Sequence, residues 1–325
     1  MLTRRMRRYR VSAGVRKIVS ETKIHTSDFM YPIFVWDGNT QEIESMPEQN
    51  RWNISDKNLY NFIERLMKKG LSSILVFGVA TDKDDLGTEG WNENGVVQRF
   101  VKNMKKTFPE LILATDVCLC TWRKDGQCGV YRDGKIINDE TLDYLAKISL
   151  SHARAGADII APSDMMDGRV KKIRETLDSE KFYDTLIMSY SVKYSSALYG
   201  PFRSAANSAP QIGDRTSYQM NPPQIREAIL EAQIDFEEGA DIIMVKPAMM
   251  YLDVIAELKS RFHLPVAAFS VSGEYSMIKL GIKNGLFDEM KIIYELIVAL
   301  KRAGADIIIS YFVPDVFLKY ENFFI

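Results

Sequence analysis

Arg154-Ala-Gly-Ala-Asp-Ile-Ile160 returns as Arg302-Ala-Gly-Ala-Asp-Ile-Ile308, and its core Gly-Ala-Asp-Ile-Ile stands once more at Gly239–Ile243. In each copy the glycine can end a helix, a short turn follows, and a buried strand begins. Five residues beyond the aspartate stand Ser163, Lys246 and Tyr311. Equal strand starts and equal offsets put these polar residues at one level, the C-terminal ends of three strands. Repeated strands that simply end in polar residues are the plainer reading. In a closed barrel, however, that end is where the active site lies.

The rest of the chain supplies the other strands. Runs rich in β-formers lie at Pro32–Val35, Ser73–Val79, Leu111–Leu119, Asp158–Ser163, Thr185–Ser191, Asp241–Lys246, Pro265–Ser272 and Asp306–Tyr311. Helical patterns separate them. Asp56–Lys69 places Leu59, Phe62, Ile63 and Leu66 on one face before Gly70, and Asp139–Ala155 is expected to start from an Asn138 N-cap and stop at Gly156. Eight strands alternating with helices predict a (β/α)8 barrel. The expected organisation is an N-terminal arm over 1–28 and a catalytic barrel over 29–325, with a lid at about 197–221.

Composition narrows the function classes. Forty-two lysines and arginines nearly cancel 43 acids, so no global attraction to nucleic acid or to an anionic membrane is expected. No apolar run reaches the roughly 18 residues a membrane span needs. The arm holds Arg4, Arg5, Arg7, Arg8, Arg10 and Arg16 with no acid before Glu21. An organelle transit peptide fits that composition, as does a basic arm that docks on another subunit.

Two constellations carry chemistry. Lys193 ends the run Met188-Ser-Tyr-Ser-Val-Lys193 and Lys246 ends the next strand, so both amines can converge on one pocket. Burial and a neighbouring cation each lower a lysine pKa, and a neutral amine attacks a ketone to form a Schiff base. The only three cysteines, Cys118, Cys120 and Cys128, crowd into eleven residues. Cys118 and Cys120, two apart on an extended run, face one way, with Asp116 before them on the same face. Gly126 and Gly129 let Cys128 return beside them. Three thiolates without a fourth protein ligand describe a catalytic zinc with an open position, against the plainer reading of three reduced core cysteines. The Gly- and Pro-containing segment from Tyr199 to Gln219 reads as a mobile lid in which Arg203 and Arg215 can clamp a carboxylate.

Taken together, Thr115-Asp-Val-Cys-Leu-Cys120, Ala161-Pro-Ser163, Met188–Lys193, Tyr199-Gly-Pro-Phe-Arg203, Val245-Lys-Pro-Ala248, Val271-Ser-Gly-Glu-Tyr275 and Ser310-Tyr-Phe312 closely resemble the 5-aminolevulinate dehydratase (porphobilinogen synthase) family. The resemblance runs from about Arg5 to the C-terminus. It implies a hydro-lyase of porphyrin and haem biosynthesis that condenses two 5-aminolevulinate molecules to porphobilinogen. Lys246 and Lys193 would each hold one substrate as a Schiff base. Ser272 and Tyr311 would bind the first carboxylate, and Arg203, Arg215 and Gln219 the second. Asp116 and Ser163 would position the first amino group. The three cysteines imply the zinc-dependent branch, and Glu231 matches a position that takes an allosteric magnesium in some members. A cytoplasmic homo-octamer is implied, its arms embracing neighbouring barrels. The stretch Ser208–Gly213 varies in length within the family.

One competing reading is a class I aldolase-type Schiff-base lyase acting on a phosphorylated sugar. Glu274 argues against it, standing where a phosphate near strands seven and eight would be repelled. A barrel that uses zinc for structure or binding alone is the non-enzyme alternative, and it leaves both strand-end lysines unexplained.

Overall fold

In the computed structural model, eight parallel strands run β1 (Phe29–Trp36), β2 (Ser73–Gly78), β3 (Ile112–Val117), β4 (Ile159–Pro162), β5 (Leu186–Lys193), β6 (Ile242–Lys246), β7 (Val266–Ser270) and β8 (Ile307–Ser310). Each pairs with the next, and β8 returns to β1 through Ile308 opposite Phe29 and Ile309 opposite Met30. The sheet is therefore a closed (β/α)8 barrel, as the alternating pattern predicts. The structure describes residues 2–320, 323 and 324. Met1 of the expected arm and residues 321, 322 and 325 of the expected barrel unit lie outside the described residues. No described helix is long and apolar enough to cross a membrane.

The repeated aspartates explain why the motif recurs. Asp158, Asp241 and Asp306 each accept a hydrogen bond from the backbone N–H of the preceding strand, at Leu113 (2.7 Å), Ile187 (2.7 Å) and Val266 (2.8 Å). Each aspartate also donates its own N–H to the carbonyl of that same residue. The motif is thus a latch that sets the register of strand four on three, six on five and eight on seven. The glycines before them hold φ of 104°, 104° and 116°, a left-handed conformation that a side chain would strain.

Several boundaries differ from expectation. Asn138 opens the helix Asn138–Ala155 rather than capping it, because its side chain is engaged with the backbone of Asp167 in both directions. β7 stops at Ser270, and Ser272 begins the helix Ser272–Lys283 instead of ending a strand. Two short antiparallel ladders, Gln41–Glu42 with Asn50–Asn53 and Tyr131–Arg132 with Lys135–Ile136, were too brief to carry a periodic signal. The arm forms a short 3-10 turn at Met6–Arg10 and a helix at Ala13–Ile18, capped by the Ser12 hydroxyl accepting from Val15 N–H. Leu2, Met6, Tyr9, Val11 and Ile18 on this arm are exposed.

The latch reading is testable at the end of the barrel away from the chemistry. Asp241→Ala is expected to lower the unfolding free energy by about 1–2 kcal/mol in denaturant titration. Turnover per folded molecule should stay unchanged, and unaltered stability would show that the motif sets no register.

Candidate active site

Lys193 and Lys246 are direct register partners at the ends of β5 and β6. Strand alternation alone does not put them in one pocket. Ser189 pairs with Ile243 but Val192 pairs with Val245, so three residues of β5 span two of β6. Without that bulge Lys193 would share the side of Ser189, whose hydroxyl bonds Asp235 and Arg169 on the surrounding helices. The extra residue turns Lys193 to the barrel interior, beside the inward-facing Tyr190.

Both amines are almost completely enclosed, Lys193 at 5% and Lys246 at 4% exposure. Lys246 Nζ lies 4.3 Å from the Phe269 ring centre, 4.9 Å from Tyr190 and 5.0 Å from Phe202. These ring faces attract a cation, but they cannot hydrate it. Burial dominates, Lys193 adds like-charge repulsion, and the two outweigh the opposing pull of Asp116, so the Lys246 amine is pushed down to about 7. Lys193 donates to the carbonyl of Ser163, bringing that expected residue into the same cluster. Burial in turn raises the Asp116 carboxyl against the pull of the two lysines.

Cys118, Cys120 and Cys128 meet as expected, all buried, all free, with their sulfurs within 4.8 Å of one another. The route differs from the one expected. β3 ends at Val117, and a turn rather than strand alternation folds Cys120 back, its N–H donating to Cys118 Sγ at 3.4 Å. Cys118 and Cys120 sulfurs are 3.3 Å apart, near the roughly 3.8 Å that two thiolates span on a tetrahedral zinc. Hydrogen bonds from the Cys118 and Cys120 thiols hold Cys128 well below the usual thiol range, while burial raises Cys118. Three buried, soft donors converging on one point fit a thiophilic cation such as zinc.

The remaining expected residues roof and wall this pocket. The segment after β5 forms a turn at Ala197–Tyr199 and a short helix at Gly200–Ala205, then runs irregularly to Met220, closed over the barrel end. Arg215, 4% exposed, donates to the carbonyls of Gly126 and Ser208 and so ties the lid to the Cys128 loop. Burial alone would lower its pKa, but the charge of Cys128 and Cys120 raises it. Ser272 is engaged by the lid, its hydroxyl accepting from Phe202 N–H at 2.9 Å. Most telling are the buried polar atoms without any protein partner. Asp116 Oδ1, both amide atoms of Gln219, the Tyr311 hydroxyl, and Nε of Arg203 and Arg215 are all left unsatisfied. Buried polar groups are normally paired. Such a concentration around two buried amines is a site prepared for a polar ligand.

Glu231 is not in this cluster. It lies on the helix Arg226–Glu237, in a cleft of about 380 Å³ that also contains Asp167, Glu227 and the stretch Thr216–Asn221. Burial and the neighbouring acids Asp235, Asp167 and Glu227 push its carboxyl up to about 7 against the pull of Arg169. Reasoning from the sequence missed Tyr190, whose buried hydroxyl is also unpartnered beside both lysines. It lies within the Met188–Lys193 run, but strict alternation would have set it opposite Lys193. Phe202 and Phe269 were missed because a cage of rings has no linear spacing.

A sequence profile of the delta-aminolevulinic acid dehydratase family matches residues 3–318. The delta-aminolevulinic acid dehydratase of Methanothermobacter thermautotrophicus is 54% identical over 318 residues, 96% of each chain. That of Bacillus subtilis is 49% identical over 313 residues, again 96% of each. The crystal structure of the Toxoplasma gondii enzyme, solved with its reaction product porphobilinogen, superposes with a TM-score of 0.94 at 40% identity, covering 97% of this chain and 90% of that one. With near-complete coverage in sequence and in fold, this chain belongs to the delta-aminolevulinic acid dehydratase family.

Proposed function

We propose that this protein joins two molecules of 5-aminolevulinate into porphobilinogen with release of two waters, and that Lys193 and Lys246 each hold one substrate. The observation that carries this reading is the side-by-side burial of the two amines, with Lys246 lowered to about 7 so that a large share of it is neutral near pH 7. A neutral Lys246 amine attacks the substrate ketone, and loss of water from the adduct leaves a Schiff base. Tyr311 and Ser272 are assigned to the carboxylate of that substrate, the first with a free buried hydroxyl and the second within reach once Phe202 N–H yields it. Arg203, Arg215 and Gln219, with their unsatisfied atoms, are assigned to the carboxylate of the other. Asp116 and Ser163 hold the first amino group, where Asp116 Oδ1 has no protein partner. The closed lid excludes water, which would hydrolyse a Schiff base.

Zinc is the metal we assign to Cys118, Cys120 and Cys128, where it would polarise the second substrate as a Lewis acid. Magnesium at Glu231 is part of the same reading, supported by the acidic cleft it shares with Asp167 and Glu227. A homo-octamer held by the arm is supported by the apolar side chains that the arm exposes. A reducing, cytoplasmic setting is consistent with three free cysteines.

Lys246→Ala is expected to fold normally and to form no pyrrole in a colorimetric assay with 5-aminolevulinate. Ordinary turnover in the folded variant would remove the assigned role. Chelation to verified zinc depletion should abolish pyrrole formation, with zinc restoring it and magnesium alone failing. Full activity of metal-free protein would refute the metal assignment. Because only the neutral amine attacks, the rate of cyanoborohydride-trappable adduct at Lys246 should fall about tenfold per pH unit below about 7 and level off above it. A limb near pH 10 would mean that burial leaves this lysine unperturbed.

A further inference from the structure

Glu274 stands at the third position of the helix Ser272–Lys283, with no exposed surface. Its Oε2 accepts from Val271 N–H at 3.1 Å, the ordinary task of a capping glutamate. The other oxygen leads elsewhere. Oε1 accepts from Met249 N–H at 2.9 Å and Ala248 N–H at 3.2 Å, in the turn directly after Lys246 on β6. Three donors at two strand ends thus occupy both carboxyl oxygens. Among the described residues no lysine or arginine pairs with this carboxyl, and burial pushes it up to about 7, so what holds it in place is its three backbone donors. Hydrogen bonds to rigid backbone are short-ranged and directional, which suits them to fixing geometry.

The same turn also meets the lid. Ser272 accepts from Phe202 N–H, and Gly273 lies so close under the Leu198 carbonyl that a Cβ there would collide with backbone. Three parts of the site, the end of β6, the proposed carboxylate-binding Ser272 and the lid, therefore converge on the turn that one buried carboxylate holds together.

We propose that Glu274 is a positioning residue for Schiff-base formation at Lys246, locking the Ala248–Met249 turn to the Val271–Ser272 turn so that amine and substrate ketone meet in line. This rests on Lys246 being a Schiff-base lysine. It assigns Glu274 no contact with substrate and no proton transfer. Lys193, at the end of β5, is outside its hydrogen bonds, and that difference makes the role separable from general stability.

Glu274→Gln is nearly isosteric but replaces one accepting oxygen with an NH2 that opposes a backbone N–H. The test reacts wild type and Glu274→Gln with 5-aminolevulinate and borohydride in single turnover, with peptide mapping of adducts at Lys193 and Lys246. Folded state is checked by circular dichroism. In the folded variant, trapping at Lys246 and kcat should both fall about 10- to 100-fold, while trapping at Lys193 stays within about twofold. Equal slowing at both lysines, or at neither, overturns the proposal. If Glu274→Gln does not fold, Glu274→Asp, too short to reach both strand ends, is read the same way. Failure of both to fold would make the role purely structural. Absence of any Lys246 adduct in wild type is a distinct result, which removes the Schiff-base reading and this inference with it.

Discussion

Two lysine amines buried side by side are costly, and most of the structure around them follows from managing that cost. A fall of the Lys246 pKa from its ordinary 10.5 to about 7 corresponds to about 5 kcal/mol of preference for the neutral amine. Hydration would cancel that preference, so the lid and the rings of Phe269, Tyr190 and Phe202 have to exclude water. Lys193 is treated differently. Its Nζ donates to the Ser163 carbonyl, whereas the Lys246 amine faces aromatic rings. Two residues of one type thereby acquire different surroundings.

The strands that carry the two lysines are also fastened at the opposite end of the barrel. The aspartate latch at Asp241 ties β6 to Ile187 of β5, and the bulge further along β5 then rotates Lys193 inward. Register is where small errors matter most in a sheet, because a shift of one residue sends every side chain to the other face. Here one inserted residue is used to advantage. It leaves Ser189 to the outer network of Arg169 and Asp235 and brings Tyr190 and Lys193 together inside.

The cysteine cluster and the lid are joined through the same chain of contacts. Arg215 links the lid to Gly126 beside the Cys128 loop, and its charge sits against the thiols. On the far side, Ser272 and Gly273 hold the start of the lid. Lid position is thus coupled at one end to the cysteine cluster and at the other to the turn beyond β7. In the proposed reaction, both substrates lie beneath this one lid.

Much of this was legible in the chain of residues. The repeat of Gly-Ala-Asp-Ile-Ile carried the strand starts, and periodicity carried eight strands and the helices between them, because burial on one face leaves a linear pattern. Lys193, Lys246 and the cysteine triplet were also readable, since charged or soft residues at strand ends are conspicuous against apolar runs. Tertiary structure alone decided how those residues meet. The bulge in β5, the turn that folds Cys120 back, the ring cage of Phe202 and Phe269, the outlying place of Glu231 and the double grip of Glu274 all join residues from separate elements. Local sequence encodes which face a side chain takes within its own strand or helix. Contacts between elements, and the loss of water that shifts a pKa, arise only when the closed barrel brings those faces together.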